Sequence, residues 1–185
     1  MRIIGQRVQV RTPEQSDDYD LFEIYSNQKV GDRAGWKAHQ NIQITRNVLM
    51  SFIFNDETFV IELLETKKVI GTISLYKDTF RYKVSAADIG FSLNPNYVGY
   101  GFMHEALMLI LDYAFNNLKF DVVGCSHIIG NERSKNTILS AGFVFEGLVR
   151  KYRRLYNGII IDAAIYSMTS EEFNILKKSR KSLEK

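Results

Sequence analysis

Cysteine and proline are scarce in this sequence, which has one cysteine, Cys125, and two prolines among 185 residues. A single cysteine excludes an intramolecular disulfide framework, and few prolines beside 12% aromatic residues argue against intrinsic disorder. The chain also lacks any run of about 18 apolar residues, and its first seven residues lack the apolar segment of a signal peptide. These absences predict a cytoplasmic protein without a membrane span.

Basic and acidic residues nearly balance over most of the chain, so neither sign is in excess there. Residues 177–185 hold five Lys or Arg and one Glu, whereas residues 1–176 hold 19 basic and 20 acidic residues. The formal net charge of +3 therefore arises in the tail, and we expect no basic face for DNA or RNA on the body. The length predicts a single domain over 1–176 and a solvated basic tail over 177–185, for which weak attraction to RNA is the alternative.

Hydrophobic patterning predicts a mixed α/β (α+β) chain of about seven strands and about four helices. The dipeptide Asn157-Gly158 is a strong hairpin signal between the last two strands. We expect the first helix to be capped by Ser16 and residues 30–40 to form a loop. The predicted strands cover 8–12, 58–64, 69–76, 84–93, 122–128, 143–156 and 159–166, and the later helices cover 42–54, 102–118 and 131–141.

The segment from Leu93 to Ala106 has the strongest chemical signal. It leads from a predicted strand through a turn that contains Gly99 and Gly101 directly into a helix. The unpaired amides and the dipole of a helix start bind anions, and glycine lets a phosphate approach the backbone closely. An ordinary glycine turn is the alternative, because Gly-x-Gly alone is a weak signal. The segment lacks the Lys-Ser/Thr pair of a P-loop and the third glycine of the dinucleotide fingerprint.

Three motifs follow one another along the chain: the glycine turn over 98–106, a segment from Asn131 to Arg150, and the hairpin from Asn157 to Tyr166. Together they resemble the motifs of the GNAT superfamily of N-acetyltransferases, and within it the RimJ/RimL-like branch, which acetylates protein N-termini and small amines. The resemblance covers most of the chain. It implies a central mixed, mostly antiparallel sheet with helices on its faces. The matching residues are the turn 98–106, then Asn131, Ser134, Gly142, Phe143, Glu146, Gly147 and Arg150, and finally Asn157, Gly158, Asp162 and Tyr166.

The resemblance implies acetyl-CoA as the acetyl donor. The amides of the glycine turn would hold its pyrophosphate, and a strand backbone would pair with the pantetheine arm where two central strands separate. A backbone N–H at Phe91 or Ser92 would stabilise the oxyanion. The residues that would bind the donor are Phe91, Ser92, Leu93, Val98, Gly99, Tyr100, Gly101, Phe102, Met103 and Asn131.

The resemblance also implies catalytic roles, but this chain departs from the family pattern at one position. Many superfamily members have a tyrosine acid seven residues after the asparagine, but this position is Ile138, which cannot donate a proton. In the RimJ/RimL-like branch the candidate acid is the serine that corresponds to Ser134, for which helix capping is the alternative. Asp88 is the candidate base or water-holder, and a solvated strand-edge carboxylate is its alternative. Glu105 is expected to support the helix start.

Trp36 and His39 lie in the segment that shapes the acceptor pocket in relatives, although Trp36 can equally serve packing. The three histidines have no ligand spacing, so no metal site is expected. Cys125 and His127 lie two apart on a strand, and a buried structural cysteine is favoured over an acyl-transfer dyad.

The sequence therefore predicts an acetyl-CoA-dependent N-acetyltransferase that acts on a primary amine by direct attack in a ternary complex. The N-terminal amine of a ribosomal or other protein is the first acceptor considered, and a polyamine or other small amine is the second. A non-catalytic acyl-CoA-binding module is the competing class, because Ile138 occupies the usual acid position. A homodimer is expected from the family alone.

Overall fold

The computed structural model describes residues 1–183, which contain one eight-stranded sheet with the order β1-β2-β3-β4-β5-β6-β8-β7. Neighbouring strands are antiparallel except for β5 and β6, which are parallel. This arrangement confirms the predicted mixed, mostly antiparallel sheet. The strands are β1 (Arg2–Ile4), β2 (Val8–Arg11), β3 (Thr58–Leu63), β4 (Val69–Lys77), β5 (Ala86–Leu93), β6 (Val122–Ile128), β7 (Val144–Arg154) and β8 (Ile160–Thr169).

Helices cover both faces of the sheet and form two separate apolar clusters. On one face, Leu107, Ile110 and Leu111 of α4 are fully buried against the strands. On the other face, Leu21 and Leu49 of α1 and α3 lie in the smaller cluster. The helices of the described residues are α1 (Asp18–Tyr25), α2 (Gln28–Ala34), α3 (Ile42–Asn55), α4 (Phe102–Asn116), α5 (Glu132–Ser140) and α6 (Ser170–Leu183).

Four features differ from the sequence-based expectations. Helix α2 replaces the first part of the predicted loop 30–40, because Asn27 caps its start and Gly35 ends it with φ of 91°. Strand β1 was not predicted, since it has only three residues. Ser16 does not cap α1; it lies inside a 3-10 turn, and Asp17 precedes the helix. Helix α6 includes residues 177–183 of the expected tail, whereas 184 and 185 lie outside the described residues.

The parallel strands β5 and β6 separate halfway along their length. Their pairing runs from Ala86 opposite Val122 to Ile89 opposite Cys125 and then ends. Strand β5 continues to Leu93 beside β4, while β6 continues beside β8. Because each strand follows its other neighbour, a wedge-shaped opening forms in the middle of the sheet. No helix of the described residues is long and apolar enough to cross a bilayer.

Candidate active site

A cavity of about 1190 Å³ lies at the opening between β5 and β6. Its lining brings together strand residues of the sheet, helix α2 and the first turns of α4 and α5. Tyr100 is the one predicted site residue that does not line it; this residue is 63% exposed. The predicted site residues that line the cavity are Trp36, His39, Asp88, Phe91, Ser92, Leu93, Val98, Gly99, Gly101, Phe102, Met103, Asn131 and Ser134.

The glycine turn presents a row of unpaired amides to this cavity. Gly99 and Gly101 have φ of 94° and 81°, in the left-handed region that favours glycine. A Cβ atom on Gly99 would meet nothing within 4 Å, so backbone conformation rather than space is the reason for this glycine. The first backbone bond of α4 runs from Glu105 N to Gly101 O at 3.0 Å. Among the described residues, none accepts a hydrogen bond from the amides of 99–103.

Glu105 connects the start of α4 to the turn between β1 and β2. Its Oε1 accepts hydrogen bonds from the amides of Gln6 and Arg7, both at 2.8 Å, and its Oε2 accepts one from Arg7 Nε at 2.9 Å. Arg7 Nη1 in turn donates to the carbonyl of Tyr100 at 2.9 Å. Burial alone would raise the pKa of Glu105, but these hydrogen bonds hold it below its ordinary value. The carboxylate therefore supports the turn from behind.

Asp88 is surrounded by charged groups from β7 and the β4–β5 loop. Burial raises its pKa, the negative charges of Asp78 and Glu146 raise it further, and Arg81 opposes them. Arg81 bridges Asp78 and Glu146 at 2.6 and 2.7 Å. Gly124 lies opposite Asp88 on β6 and leaves space for its carboxylate. A carboxylate with a raised pKa is a better general base near neutral pH than an ordinary one.

Asn131 and Ser134 both lie at the start of α5, but only one of them caps the helix. Asn131 Oδ1 accepts a hydrogen bond from the Ser134 amide at 3.3 Å, so Asn131 is the capping side chain. The Ser134 hydroxyl has no hydrogen bond to a described residue and lines the cavity. Ile138 is fully buried in the core. The position of the usual tyrosine acid is therefore structural in this protein.

Aromatic side chains form the opposite wall of the cavity. The ring of Tyr25 lies 5.1 Å from that of Trp36 and 5.2 Å from that of His39. Tyr25 is buried, which raises its pKa to about 12, and its hydroxyl lies 3.0 Å from Thr72 Oγ1. Burial lowers the pKa of His39, whose Nδ1 lies 2.8 Å from Thr45 Oγ1. A neutral imidazole is therefore favoured at this wall.

Sequence reasoning missed Tyr25 and the two cations of α2, Lys29 and Arg33, which also line the cavity. Arg33 was missed because residues 30–40 were predicted as a loop, and Lys29 was missed because it lay outside every predicted element. Asn27 before the helix and Gly35 after it, a cap residue and a C-terminal glycine, were the signals that could have located α2.

The remaining polar candidates do not form a second site. Cys125 is buried and burial raises its pKa to about 12, so little reactive thiolate is present near neutral pH. His127 Nε2 lies 3.1 Å from the hydroxyl of Tyr166. Within residues 1–183, no cluster of three or more His, Cys, Asp or Glu side chains could hold a metal ion.

The class of protein follows from the fold and from a family match. The profile of the acetyltransferase (GNAT) domain matches residues 7–144, which is most of the chain. The chain therefore belongs to the GNAT family of acetyltransferases, and the prediction that it is an N-acetyltransferase is confirmed.

Several individual proteins of this class are similar to this chain over nearly its full length. The uncharacterized N-acetyltransferase YoaA of Bacillus subtilis (strain 168) is 27% identical over 167 residues, which cover 88% of this chain and 93% of YoaA. The ribosomal-protein-S5-alanine acetyltransferase of Vibrio fischeri has a similar structure, with a TM-score of 0.75, 23% identity and coverage of 94% and 98%. The microcin C7 self-immunity acetyltransferase MccE, solved with acetyl-CoA and AMP, has a TM-score of 0.76, 21% identity and coverage of 89% and 93%.

Proposed function

We propose that this protein transfers the acetyl group of acetyl-CoA to a primary amine, and that the transfer takes place in the cavity between β5 and β6. One observation supports this proposal above the others. The same cavity joins unpaired amides at a helix start, which suit a diphosphate, to a carboxylate with a raised pKa, which suits a base.

The donor would lie along the opening of the sheet. The amides of 99–103 would bind its pyrophosphate. The backbone of 91–93 would pair with the pantetheine arm, because β6 no longer pairs with β5 there. Asn131 would donate a hydrogen bond to that arm through its side-chain nitrogen, because its oxygen is occupied by the cap. When bound, the donor supplies a thioester carbonyl that an amine can attack.

Asp88 and Ser134 would handle the protons. Asp88 accepts a proton from the ammonium form of the acceptor, directly or through a water, and so frees the nitrogen lone pair. The nitrogen forms a bond to the carbonyl carbon as the carbon–sulfur bond breaks. The departing sulfur takes a proton from the Ser134 hydroxyl. The attacking nitrogen then loses its second proton, which passes through water to the Ser134 oxygen, and Asp88 releases its proton to solvent, so that the products are a neutral amide and a free thiol. The backbone N–H of Phe91 or Ser92 would stabilise the oxyanion meanwhile.

The first acceptor that we propose is the N-terminal amine of a protein, as in the RimJ/RimL-like branch. The structural similarity to a ribosomal-protein-S5-alanine acetyltransferase agrees with this choice. A small amine is the second candidate. Homodimer formation stays a prediction from the family, which sedimentation of the purified protein would test.

The test is a thiol-release assay with acetyl-CoA against a panel of peptides and small amines. Asp88→Asn and Ser134→Ala should each lower kcat, the former by about 100-fold, while the affinity for CoA measured by calorimetry stays within about twofold. Asp56→Asn, at an exposed helix end, is the matched control and should change neither value.

Two results would count against the proposal. Absence of any CoA binding by calorimetry would exclude the diphosphate site. Binding of acetyl-CoA without thiol release for any amine would favour the non-catalytic module instead.

A further inference from the structure

Helix α2 places two cations at the cavity that have no partner within the described part of the chain. Lys29 and Arg33 are four residues apart, so they lie on the same face of the helix, and both line the cavity. Neither side chain forms a hydrogen bond or ion pair with a described residue. By contrast, Arg46 and Lys68 on the same side of the sheet are paired with carboxylates. Lys29 and Arg33 are therefore available to a ligand.

A third donor lies directly after this helix. Trp36 follows the turn at Gly35, and its Nε1 is buried without a hydrogen-bond partner among the described residues. A buried N–H without an acceptor destabilises the protein unless a ligand or a water supplies one. Trp36 lines the same cavity as Lys29 and Arg33. One short segment thus holds two exposed cations and one buried, unpartnered N–H beside a single space.

The charges of the whole lining favour the same kind of ligand. Asp88 is the sole carboxylate among the described residues that line the cavity. Arg153 is engaged, because its Nη2 donates to the carbonyl of Ala34 at 3.0 Å, and Arg133 lies beside Asn131 at the proposed donor end. A polyamine would therefore meet a cationic wall with one carboxylate. The cations in the lining are Lys29, Arg33, Arg133 and Arg153.

We infer that the acceptor is an amine that also bears an anionic group, a carboxylate or a phosphate, which Lys29, Arg33 and Trp36 Nε1 bind while the amine faces Asp88. This inference rests on the proposed function and specifies its substrate class. The anion belongs either to a small molecule or to an acidic side chain near the N-terminus of a peptide, because the recognising chemistry is the same in both. Arginine and lysine bind carboxylates and phosphates through charge-assisted hydrogen bonds.

The experiment compares amines that differ only in the anion. The pairs are β-alanine with its amide, phosphoethanolamine with ethanolamine, and a peptide that begins Ala-Asp with one that begins Ala-Asn. We expect kcat/KM to be about tenfold higher for the anionic member of at least one pair. The pair that shows the preference identifies the carboxylate, phosphate or peptide source.

Variants then assign the preference to α2. The double change Lys29→Gln with Arg33→Gln should abolish it, leaving kcat/KM for the neutral member and the affinity for CoA unchanged. Trp36→Phe, which keeps a ring but removes the donor, should reduce the preference by about threefold. Lys37→Gln, an exposed cation of the same segment that does not line the cavity, should leave the preference intact.

Salt provides an independent readout. Because Lys29 and Arg33 are exposed, added salt should raise KM for the anionic acceptor and leave KM for the neutral one nearly unchanged. Equal or better turnover of the neutral amines would overturn the inference while retaining the proposed function. Weaker CoA binding in the double variant, with equal losses for both members of a pair, would also overturn it, since the cations would then bind the donor. No turnover with any amine would overturn both.

Discussion

The carboxylate of Asp88 has room only because glycine lies opposite it on β6. A Cβ atom on Gly124 would lie 2.2 Å from Asp88 Oδ1, a distance that requires the carboxylate to move. We expect Gly124→Ala to lower kcat/KM by about tenfold or more, because a displacement of about 1 Å costs a catalytic group most of its effect. The affinity for CoA should stay unchanged. Gly147→Ala is the control, since a Cβ there meets nothing within 4 Å; equal activities of the two variants would contradict the role of Asp88.

The surroundings of Asp88 also predict a pH dependence. A base works when ionised, so the rate should fall as the pH drops through the pKa of Asp88, which lies above its ordinary 3.8. Glu146→Gln removes a negative charge that raises this pKa and leaves Arg81 less neutralised, and both changes favour the ionised form. The acid limb of kcat/KM should therefore move to lower pH, with Glu65→Gln in the exposed β3–β4 turn as the control. An unmoved limb, or a move to higher pH, would show that another group titrates.

At the scale of elements, Glu105 joins the β1–β2 turn to α4. Glu105→Ala leaves three backbone amides and Arg7 without this acceptor, so we expect the free energy of unfolding to fall by about 2 kcal/mol at pH 7 and the affinity for CoA to weaken. The folded-state pKa of Glu105 is depressed, so its stabilisation is present above the ordinary value of 4.5 and is lost as the pH falls through the folded value. Urea unfolding should therefore separate the variant from the parent less at pH 3 than at pH 7.

The matched control for this element is Glu171, an exposed carboxylate in the first turn of α6. Glu171→Ala should leave the free energy of unfolding nearly unchanged, as expected for a solvent-screened surface charge near a helix dipole, and should leave CoA binding unchanged. Similar losses of stability for the two variants would mean that Glu105 acts only as a helix-start charge.

At the scale of the whole molecule, helix α4 connects the cavity to the far side of the core. Its 15 residues make it about 20 Å long. Phe173 of α6 is 1% exposed and lies 5.2 Å from the ring of Phe115 in the last turn of α4. Phe173→Ala should cost about 3–5 kcal/mol in thermal or urea unfolding without changing the affinity of the folded protein for CoA. Ile175→Ala, at a 65% exposed site of the same helix, should cost little. A changed CoA affinity in the folded Phe173 variant would show coupling between the two ends.

Local signals predicted the parts of the site that are contiguous in the chain. The glycine turn, the amphipathic α4 and the asparagine cap of α5 each depend on residues a few positions apart, so they could be found in the sequence. Ser16 was the wrong cap because the side chain of the next residue, Asp17, organises that turn, in a setting that includes one long-range pair. Asp17 accepts hydrogen bonds from the Glu14 amide and from Arg11, both at 2.7 Å, and Arg11 also pairs with Glu62 on β3.

The sequence by itself determined the order of strands β2 to β8 and of helices α1, α3, α4 and α5, the free amides at Gly99 and Gly101 and the N-acetyltransferase class. Only the tertiary structure decided where β5 and β6 separate, that Arg81 reaches Glu146 beside Asp88, and that α2 holds over the same cavity two cations that pair with no described residue. The physical reason is the range of the interactions. Turns and caps depend on neighbouring residues, whereas strand separation and the field at a carboxylate depend on groups brought together from distant segments.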